Sequence, residues 1–182
     1  YLINNYELII VNDCSSDQTY KILIDYSKKI KNLKIINIEK VSKGWASKKY
    51  ALNKAIKEAK GEIILQTDGD CYPEQEWIEK MVAPFNKVDI GFVAGLCPYN
   101  IQNNNLISRL LFLENLSQDI FNASCIRNKF TISCVGRSIA FRKKYFFDIN
   151  GYDDMKFITS GDDDLLMHRI LYEKKCKIEY MI

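Results

Sequence analysis

Short apolar runs alternate along the chain with longer stretches in which apolar residues recur every three or four positions. The short runs predict strands over residues 7–11, 33–38, 62–67, 89–96, 131–141 (interrupted by Gly136) and 177–181. The longer stretches predict helices after a polar turn at 15–17, over 47–59, from Pro73 to about residue 85, over about 106–122 and over 162–174. Repeated strand–helix–strand order predicts an α/β fold, with an open, mostly parallel sheet flanked by helices.

Length and composition narrow the class of protein. The 182 residues favour a single domain over residues 1–182. An apolar fraction of 47% and a charged fraction of 27% are ordinary for a globular protein. The net charge is only +3, and lysine greatly outnumbers arginine. This composition lacks the dense basic surface of a nucleic-acid-binding protein, so we expect no nucleic-acid partner.

The cysteines are read most simply as free thiols. The chain has six cysteines and one histidine, His168, and no two cysteines form a CxxC pair. This spacing argues against a structural zinc site. Each cysteine lies in or beside an apolar run, so we predict reduced thiols in a reducing compartment.

The first and last residues lead us to expect a piece of a longer protein. The chain begins at Tyr1 without a starting Met and ends at Ile182 inside a predicted strand. No apolar run approaches the length of a membrane span, about 18–20 residues. We expect a location in the cytoplasm or at the cytoplasmic face of the inner membrane, with any membrane attachment made by segments outside this chain.

Acidic residues follow two of the predicted strands. In open α/β sheets ligands bind outside the carboxyl ends of the strands, which is where Asp13 and the Asp68-Gly69-Asp70 turn fall. Asp13 could accept a hydrogen bond from a nucleobase N–H or a ribose hydroxyl. Asp68 and Asp70 offer the oxygen ligands that Mg²⁺ and Mn²⁺ prefer. The alternative for this pair is an ordinary Asp-Gly turn with solvated acids.

Charged residues lie at the beginning of two predicted helices and suggest a functional role. Lys48 lies at the beginning of a predicted helix, where the dipole disfavours a cation unless an anion binds there; a solvated Lys48-Lys49 pair is the alternative. Asp162, Asp163 and Asp164 stand at another helix start. The helix dipole accounts for acids at this position, but it does not require three. Repulsion among them would suit one carboxylate to general-base work.

Five motifs in register carry a resemblance to a known family. They are VNDCSSD (11–17), SKKYALN (47–53), GEIILQTDGDCYP (61–73), VGRSIAFRKKYFFDINGYDD (135–154) and SGDDDLLMHRI (160–170). In this order they resemble the family 2 glycosyltransferases of the GT-A fold, and the variant with KKYAL, TDGDC and SGDDDLL most resembles a bacterial subgroup. The resemblance covers most of the chain and implies transfer of a sugar from a UDP- or GDP-sugar.

The resemblance implies a role for the residues that bind the donor. Asp13 would hold the nucleotide base, and Lys48 would lie near the base or the diphosphate. Asp68 and Asp70 form the DxD motif of the family. Asp70 would ligate Mn²⁺ or Mg²⁺, and Asp68 would lie near the ribose or the same metal.

The catalytic base depends on the register of the last motif. If Arg169 matches the arginine common on that helix, Asp163 is the base; if Leu165 anchors the alignment, Asp162 takes the role. We favour Asp163. The base would take a proton from an acceptor hydroxyl, which would displace the nucleotide in one step and invert the anomeric configuration. The acceptor would be a glycan or a lipid-linked molecule, bound by a variable segment at residues 98–127.

Two features of the family pattern are missing, and two other functions are weighed as alternatives. The usual first strand of the family and a downstream Gln-x-x-Arg-Trp motif are absent from this sequence, which fits truncation and leaves processivity undecided. A sugar-phosphate nucleotidyltransferase would also use strand-end acids and a metal, although no glycine-rich phosphate loop is visible. A non-catalytic nucleotide-sugar-binding module would require the loss of acids that are all present here.

Overall fold

The computed structural model describes residues 6–101 and 105–182. Two compact units are distinguished by their internal contacts. Unit 1 consists of the described part of Tyr1–Ile64 together with Asn150–Asp162, and unit 2 consists of the described part of Leu65–Ile149 together with Asp163–Ile182. A single catalytic domain over residues 1–182 stays a prediction.

Unit 1 is built on two parallel strands. In chain order its regular elements are β1 (Leu8–Asp13), α1 (Thr19–Ser27), β2 (Leu33–Ile38) and α2 (Ser47–Glu58), followed much later by a 3₁₀ turn at Asp153–Met155. β1 pairs with β2 from Leu8 opposite Leu33 to Asp13 opposite Ile38. Parallel pairing needs a crossover, which α1 supplies. The apolar core of this unit contains Ile36, Ile38 and Ala51.

Unit 2 contains most of a four-stranded mixed sheet in the order β3-β5-β4-β6. β4 runs antiparallel to β5 and parallel to β6, and all six of its residues are buried. The strand β3 spans the boundary between the units. The elements are β3 (Ile63–Gln66), α3 (Trp77–Val82), a 3₁₀ turn (Ala83–Asn86), β4 (Ile90–Gly95), α4 (Leu106–Arg127), β5 (Ile139–Arg142), α5 (Lys143–Asp148), α6 (Asp164–Lys174) and β6 (Lys177–Met181).

Aromatic packing holds β4, β5 and α5 together. The rings of Phe92 and Phe141 stack with centroids 6.0 Å apart, and those of Phe141 and Phe146 with centroids 6.1 Å apart. All three side chains are at most 1% exposed. Full burial of a side chain of this size contributes about 1.5–3 kcal/mol, so this stack stabilises unit 2.

Helix α4 ends beyond its predicted limit because no glycine or proline marks the end. The helix was predicted to about residue 122 and runs to Arg127. Phe130 N donates to Cys125 O at 2.8 Å and Lys129 N donates to Ile126 O at 3.0 Å, the hydrogen bonds of a Schellman motif. Lys129 takes the left-handed position, with φ 61°, that glycine usually occupies.

Other predicted boundaries also need correction. The strand predicted over residues 7–11 runs to Asp13, and the helix predicted from Asp162 begins at Asp164. The helix expected from Pro73 begins at Trp77 and gives way to the 3₁₀ turn at Ala83, where Pro84 lies in the first turn. The strand expected over residues 131–141 is regular only at Ile139–Arg142, and α5 follows it directly. Of the polar turn predicted at residues 15–17, Asp17 supports the start of α1, because its Oδ1 accepts a hydrogen bond from Thr19 N at 2.9 Å.

Within residues 6–101 and 105–182, no helix has the length and apolarity needed to cross a membrane.

Candidate active site

Asp13 is the last residue of β1 in unit 1. Cys14, which follows it, has φ 54° and donates its N–H to Ile38 O at 2.9 Å, so the chain turns sharply after the strand. Ser47 Oγ donates to Asp13 Oδ2 at 2.5 Å. The other oxygen, Oδ1, is buried and has no hydrogen-bond partner among the described residues. A buried acceptor of this kind is costly unless water or a ligand donates a hydrogen bond to it.

Lys48 is the second residue of α2 and pairs with one of the predicted catalytic acids. Its Nζ lies 3.1 Å from Asp162 Oδ2, and the Lys48 side chain is 47% exposed while that of Asp162 is only 10% exposed. The main chain of Asp162 is also fixed, because the buried Tyr152 hydroxyl donates to its carbonyl oxygen at 2.8 Å. Unit 1 thus gathers Asp13 and Asp162 around the consecutive residues Ser47 and Lys48.

Lys49 differs entirely from Lys48, and the interpretation of both as a solvated pair was wrong. The Lys49 side chain is fully buried. Its ammonium group donates to Met155 O at 3.3 Å, Ile158 O at 2.9 Å and Ser160 O at 2.7 Å. Three N–H donors and three carbonyl acceptors match one another. Lys49 therefore holds in place the segment that leads to Asp162.

The helical spacing of the sequence contained a signal that Lys49 is buried. Lys49, Asn53 and Ile56 are buried on α2, and their separations of four and three residues place them on one face. A lysine on the buried face of a helix requires partners, but the sequence does not name main-chain carbonyls as those partners.

The Asp68-Gly69-Asp70 segment in unit 2 forms an exposed turn shortly after β3. Cys71 N donates to Asp68 O at 3.2 Å, which closes a four-residue turn. Asp70 is exposed and Asp68 is half-buried. Apart from Gly69 and its two neighbours in the chain, no described residue has an atom within 4 Å of the position that a Cβ on Gly69 would occupy. The turn and a metal site are therefore compatible, since Asp70 is exposed to solvent and Asp68 is partly exposed.

The carboxylate oxygens of Asp68 and Asp70 fit a hard divalent cation that is also coordinated by a substrate. In the part of the chain that the structure describes, no three His, Cys, Asp or Glu side chains converge as a complete metal site. Mg²⁺ is usually held by one or two carboxylates together with substrate phosphates rather than by a full protein cage. Two carboxylates on an open turn meet that requirement.

Asp163 caps α6 in unit 2. Its Oδ1 accepts from Asp164 N at 2.8 Å, and its Oδ2 accepts from Gly136 N at 2.8 Å. A Cβ on residue 136 would stand 2.9 Å from Asp163 Oδ2, so glycine is needed for this approach. Each carboxylate oxygen has a second lone pair, which leaves Asp163 able to accept a proton.

Asp164 has a different environment from its two neighbours. It accepts from Cys134 N at 2.8 Å and from Ser133 Oγ at 3.0 Å. The N–H groups of Cys134 and Gly136 thus bond to the acids at the start of α6 and not to a neighbouring strand. This is the physical reason why the predicted strand over residues 131–141 is confined to its last residues.

A family model decides the identity of the chain. The model described as glycosyl transferase family 2 matches residues 2–149. The chain belongs to this family. The match confirms the predicted family and, at the level of that family, glycosyltransferase as the class of enzyme; it does not favour the nucleotidyltransferase or the binding module. The solved structures described below confirm the GT-A fold class.

Curated relatives of this glycosyltransferase include longer proteins from bacteria and archaea. The chain is 28% identical over 168 residues to the probable glycosyltransferase YdaM of Bacillus subtilis, covering 91% of this chain and 40% of the relative. It is 30% identical over 159 residues to a poly-beta-1,6-N-acetyl-D-glucosamine synthase of Staphylococcus epidermidis, covering 84% and 36%. It is 28% identical over 103 residues to AglE of Haloferax volcanii, covering 57% and 33%.

Solved structures show the same fold. The glycosyltransferase chain superposes on the crystal structure of Staphylococcus aureus TarS with a TM-score of 0.66 and 21% identity, covering 99% of this chain and 30% of that one. It superposes on TarS 1–349 in complex with UDP with a TM-score of 0.65 and 23% identity, covering 99% and 49%. The chain therefore spans less than half the length of each of these proteins.

A buried acid that was not singled out from the sequence, Asp119, lies on α4 within the segment predicted to bind the acceptor. Asp119 accepts from Cys97 N at 3.4 Å and from Tyr180 Oη at 3.3 Å. Burial raises the pKa of Asp119 above its ordinary value of 3.8. Burial, followed by the charge of Asp119, also raises the pKa of Tyr180, and burial raises that of Cys97 to about 11. Two of the three buried residues of α4, Asp119 and Asn122, are polar, while Leu106, Ile107 and Leu110 are exposed.

Asp119 should make the folded state less stable as pH rises. Its folded pKa exceeds the unfolded value of 3.8, so the folded state binds more protons above that pH and the free energy of unfolding falls. We expect Asp119→Asn to gain stability relative to the wild type as pH rises from about 4 towards 8. Urea unfolding at several pH values measures this difference. A difference that stays constant with pH would contradict the assignment, and Asp153→Asn, at an exposed acid, serves as the control.

Proposed function

We propose that this chain transfers a sugar from a nucleoside diphosphate to an acceptor hydroxyl, with inversion at the anomeric carbon. The observation that carries the proposal is the buried, unpartnered Oδ1 of Asp13, held beside the start of α2 by the Ser47 hydroxyl. An acceptor atom without a partner calls for a donor from a ligand, and the N–H of a pyrimidine or purine base is such a donor.

Lys48 is proposed to bind the diphosphate. Its ammonium group is half-exposed and stands in the first turn of α2, where unpaired main-chain N–H groups also attract anions. Asp162 balances the lysine charge at 3.1 Å when no donor is bound. The diphosphate would share this ammonium group with Asp162 and would approach it from solvent.

Asp70 and Asp68 are proposed to hold Mn²⁺ or Mg²⁺. The support is an all-oxygen donor pair on an open turn. When bound, the cation would offset the negative charge that develops on the departing diphosphate. Asp68 would also lie near the ribose of the donor.

Asp163 is proposed as the general base. It would take the proton of the acceptor hydroxyl while the oxygen attacks the anomeric carbon from the face opposite the nucleotide, so that one bond forms as the bond to the diphosphate breaks. Two main-chain N–H groups fix the orientation of its carboxylate. Asp162 is the second candidate, although its pairing with Lys48 better suits a role in holding that lysine.

A uridine diphosphate sugar is the first donor to test. One of the two TarS structures described above, TarS 1–349, is a complex with UDP. One curated relative is named as a poly(ribitol-phosphate) beta-N-acetylglucosaminyltransferase and another as a poly-beta-1,6-N-acetyl-D-glucosamine synthase. These names favour UDP-N-acetylglucosamine over other donors.

The acceptor is proposed to be a glycan or a lipid-linked molecule bound by residues 98–127. Within this segment the side chains of Leu106 and Ile107 are 73% and 69% exposed, which favours an acceptor with an apolar part. Residues 102–104 of the segment lie outside the described residues. Attachment to a membrane through other parts of the protein and a cytoplasmic location stay predictions.

Asp70→Ala should remove the metal-dependent part of UDP binding. Calorimetry would compare UDP and GDP, with and without Mn²⁺, on wild type and variant. We expect Mn²⁺ to strengthen binding of one nucleotide in the wild type, and the variant to bind it at least about tenfold more weakly, which corresponds to about 1.4 kcal/mol. Glu74→Ala, at an exposed acid four residues further along, should bind as the wild type does. Equal affinity of Asp70→Ala and wild type in Mn²⁺ would contradict the proposed metal ligand.

A further inference from the structure

Two thiols lie in contact beside the DxD turn of unit 2. Cys71 Sγ and Cys97 Sγ are 3.9 Å apart, although 26 residues separate them in sequence. Both side chains are half-buried. Cys71 follows Asp70 directly, and its thiol lies 3.8 Å from Asp70 Oδ1. The cysteine pair is thus adjacent to the proposed metal ligand both in sequence and in space.

The distance between the sulfurs allows a disulfide after a small movement. A disulfide bond is about 2.05 Å long, so the sulfurs must approach by about 2 Å. Cys71 belongs to a stretch without helix or strand, residues 67–76. Cys97, in contrast, follows β4, whose residues are all buried. Because all residues of β4 are buried while Asp70 is exposed and lies outside helix and strand, the movement would fall on Cys71 and on Asp70 next to it.

We propose that Cys71 and Cys97 form a reversible disulfide on exposure to a low-molecular-weight disulfide, and that this modification weakens binding of the nucleotide donor. The effect on the donor rests on the proposed function of Asp70. Disulfides of intracellular proteins are usually transient and redox-sensing rather than structural, and a half-buried pair beside a ligand-binding turn fits that use.

The chemistry balances with glutathione disulfide as the oxidant. The Cys71 sulfur attacks one glutathione sulfur, which forms a mixed disulfide and releases one glutathione as the thiol. The Cys97 sulfur then attacks the Cys71 sulfur and releases the second glutathione. The two protein thiols lose two electrons and two protons in total, and one glutathione disulfide becomes two glutathione thiols.

Mass spectrometry tests the disulfide without any assay of activity. The folded protein is incubated with glutathione disulfide, alkylated and digested. We expect a linked peptide pair containing Cys71 and Cys97, and its loss on treatment with dithiothreitol. Cys71→Ser and Cys97→Ser should not form the link, while Cys125→Ser, at another half-buried cysteine, should form it as the wild type does. Glutathione retained on Cys71 without a link to Cys97 would overturn the proposal.

UDP calorimetry in Mn²⁺ tests the consequence for the donor site. Oxidised wild type should bind UDP at least about tenfold more weakly than reduced wild type, and dithiothreitol should restore the affinity. Oxidant should not change the affinity of Cys97→Ser. A linked protein with unchanged affinity overturns the regulatory role. A reduced protein that does not bind UDP overturns the proposed function and this coupling with it, whereas the mass measurement still decides the disulfide.

Discussion

Asp163→Asn should lower the turnover number of sugar transfer by about 10²–10⁴-fold, the usual contribution of a general base. The asparagine side chain has almost the same shape, and its carbonyl oxygen can still accept from Gly136 N or Asp164 N, as the carboxylate does at 2.8 Å. It cannot take a proton from the acceptor. We therefore expect the affinity for UDP in Mn²⁺ to change by less than about twofold, while release of UDP in the presence of acceptor nearly stops.

The acids on either side of Asp163, Asp162 and Asp164, provide the controls for the Asp163→Asn prediction. Asp164→Asn removes a carboxylate that accepts from Cys134 N and Ser133 Oγ, so we expect lower stability but a turnover number near that of the wild type. Asp162→Asn removes the partner of Lys48, and should change the affinity for UDP more than the turnover number. Loss of turnover in Asp162→Asn with activity retained in Asp163→Asn would assign the base to Asp162.

Lys49→Met should destabilise the folded protein by at least about 3 kcal/mol. Methionine fills a similar volume but donates no hydrogen bond, so the carbonyl groups of Met155, Ile158 and Ser160 lose a charged donor. A hydrogen bond to a charged group contributes about 1.5–3 kcal/mol, and three of them depend on this one ammonium group. Urea unfolding followed by circular dichroism measures the change in the free energy of unfolding.

Lys48→Met is the matched control, since it changes the preceding residue to the same side chain. Its ammonium group is half-exposed in an ion pair with Asp162, so its loss should cost about 1 kcal/mol or less while weakening UDP binding. The two variants thus separate a structural lysine from a binding lysine. A Lys49→Met protein within about 0.5 kcal/mol of the wild type would show that the three carbonyl contacts do not hold the segment.

The positions of the acids near strand ends could be predicted from the sequence, because each depends on a pattern of neighbouring residues. The apolar runs placed Asp13 and the Asp68-Gly69-Asp70 turn near strand ends, although β1 runs two residues past its predicted end, to Asp13, and β3 ends one residue early, at Gln66. β2 and β6 matched their predicted bounds without change, since strands and helices differ in a periodicity that is visible over a few residues. The roles of these acids rest on the family resemblance and stay predictions until the variants are measured.

What the sequence determined by itself was the alternation of strands and helices, the family and the positions of the acids, all of which depend on residues close together along the chain. The tertiary structure decided which groups form hydrogen bonds with one another. The N–H groups of Cys134 and Gly136 meet carboxylates 30 and 27 residues away, which replaces a predicted strand by a support for α6. Lys49 meets carbonyl groups 106–111 residues away. Hydrogen bonds over such separations depend on how the chain folds back on itself, and no local pattern of apolar and polar residues encodes them.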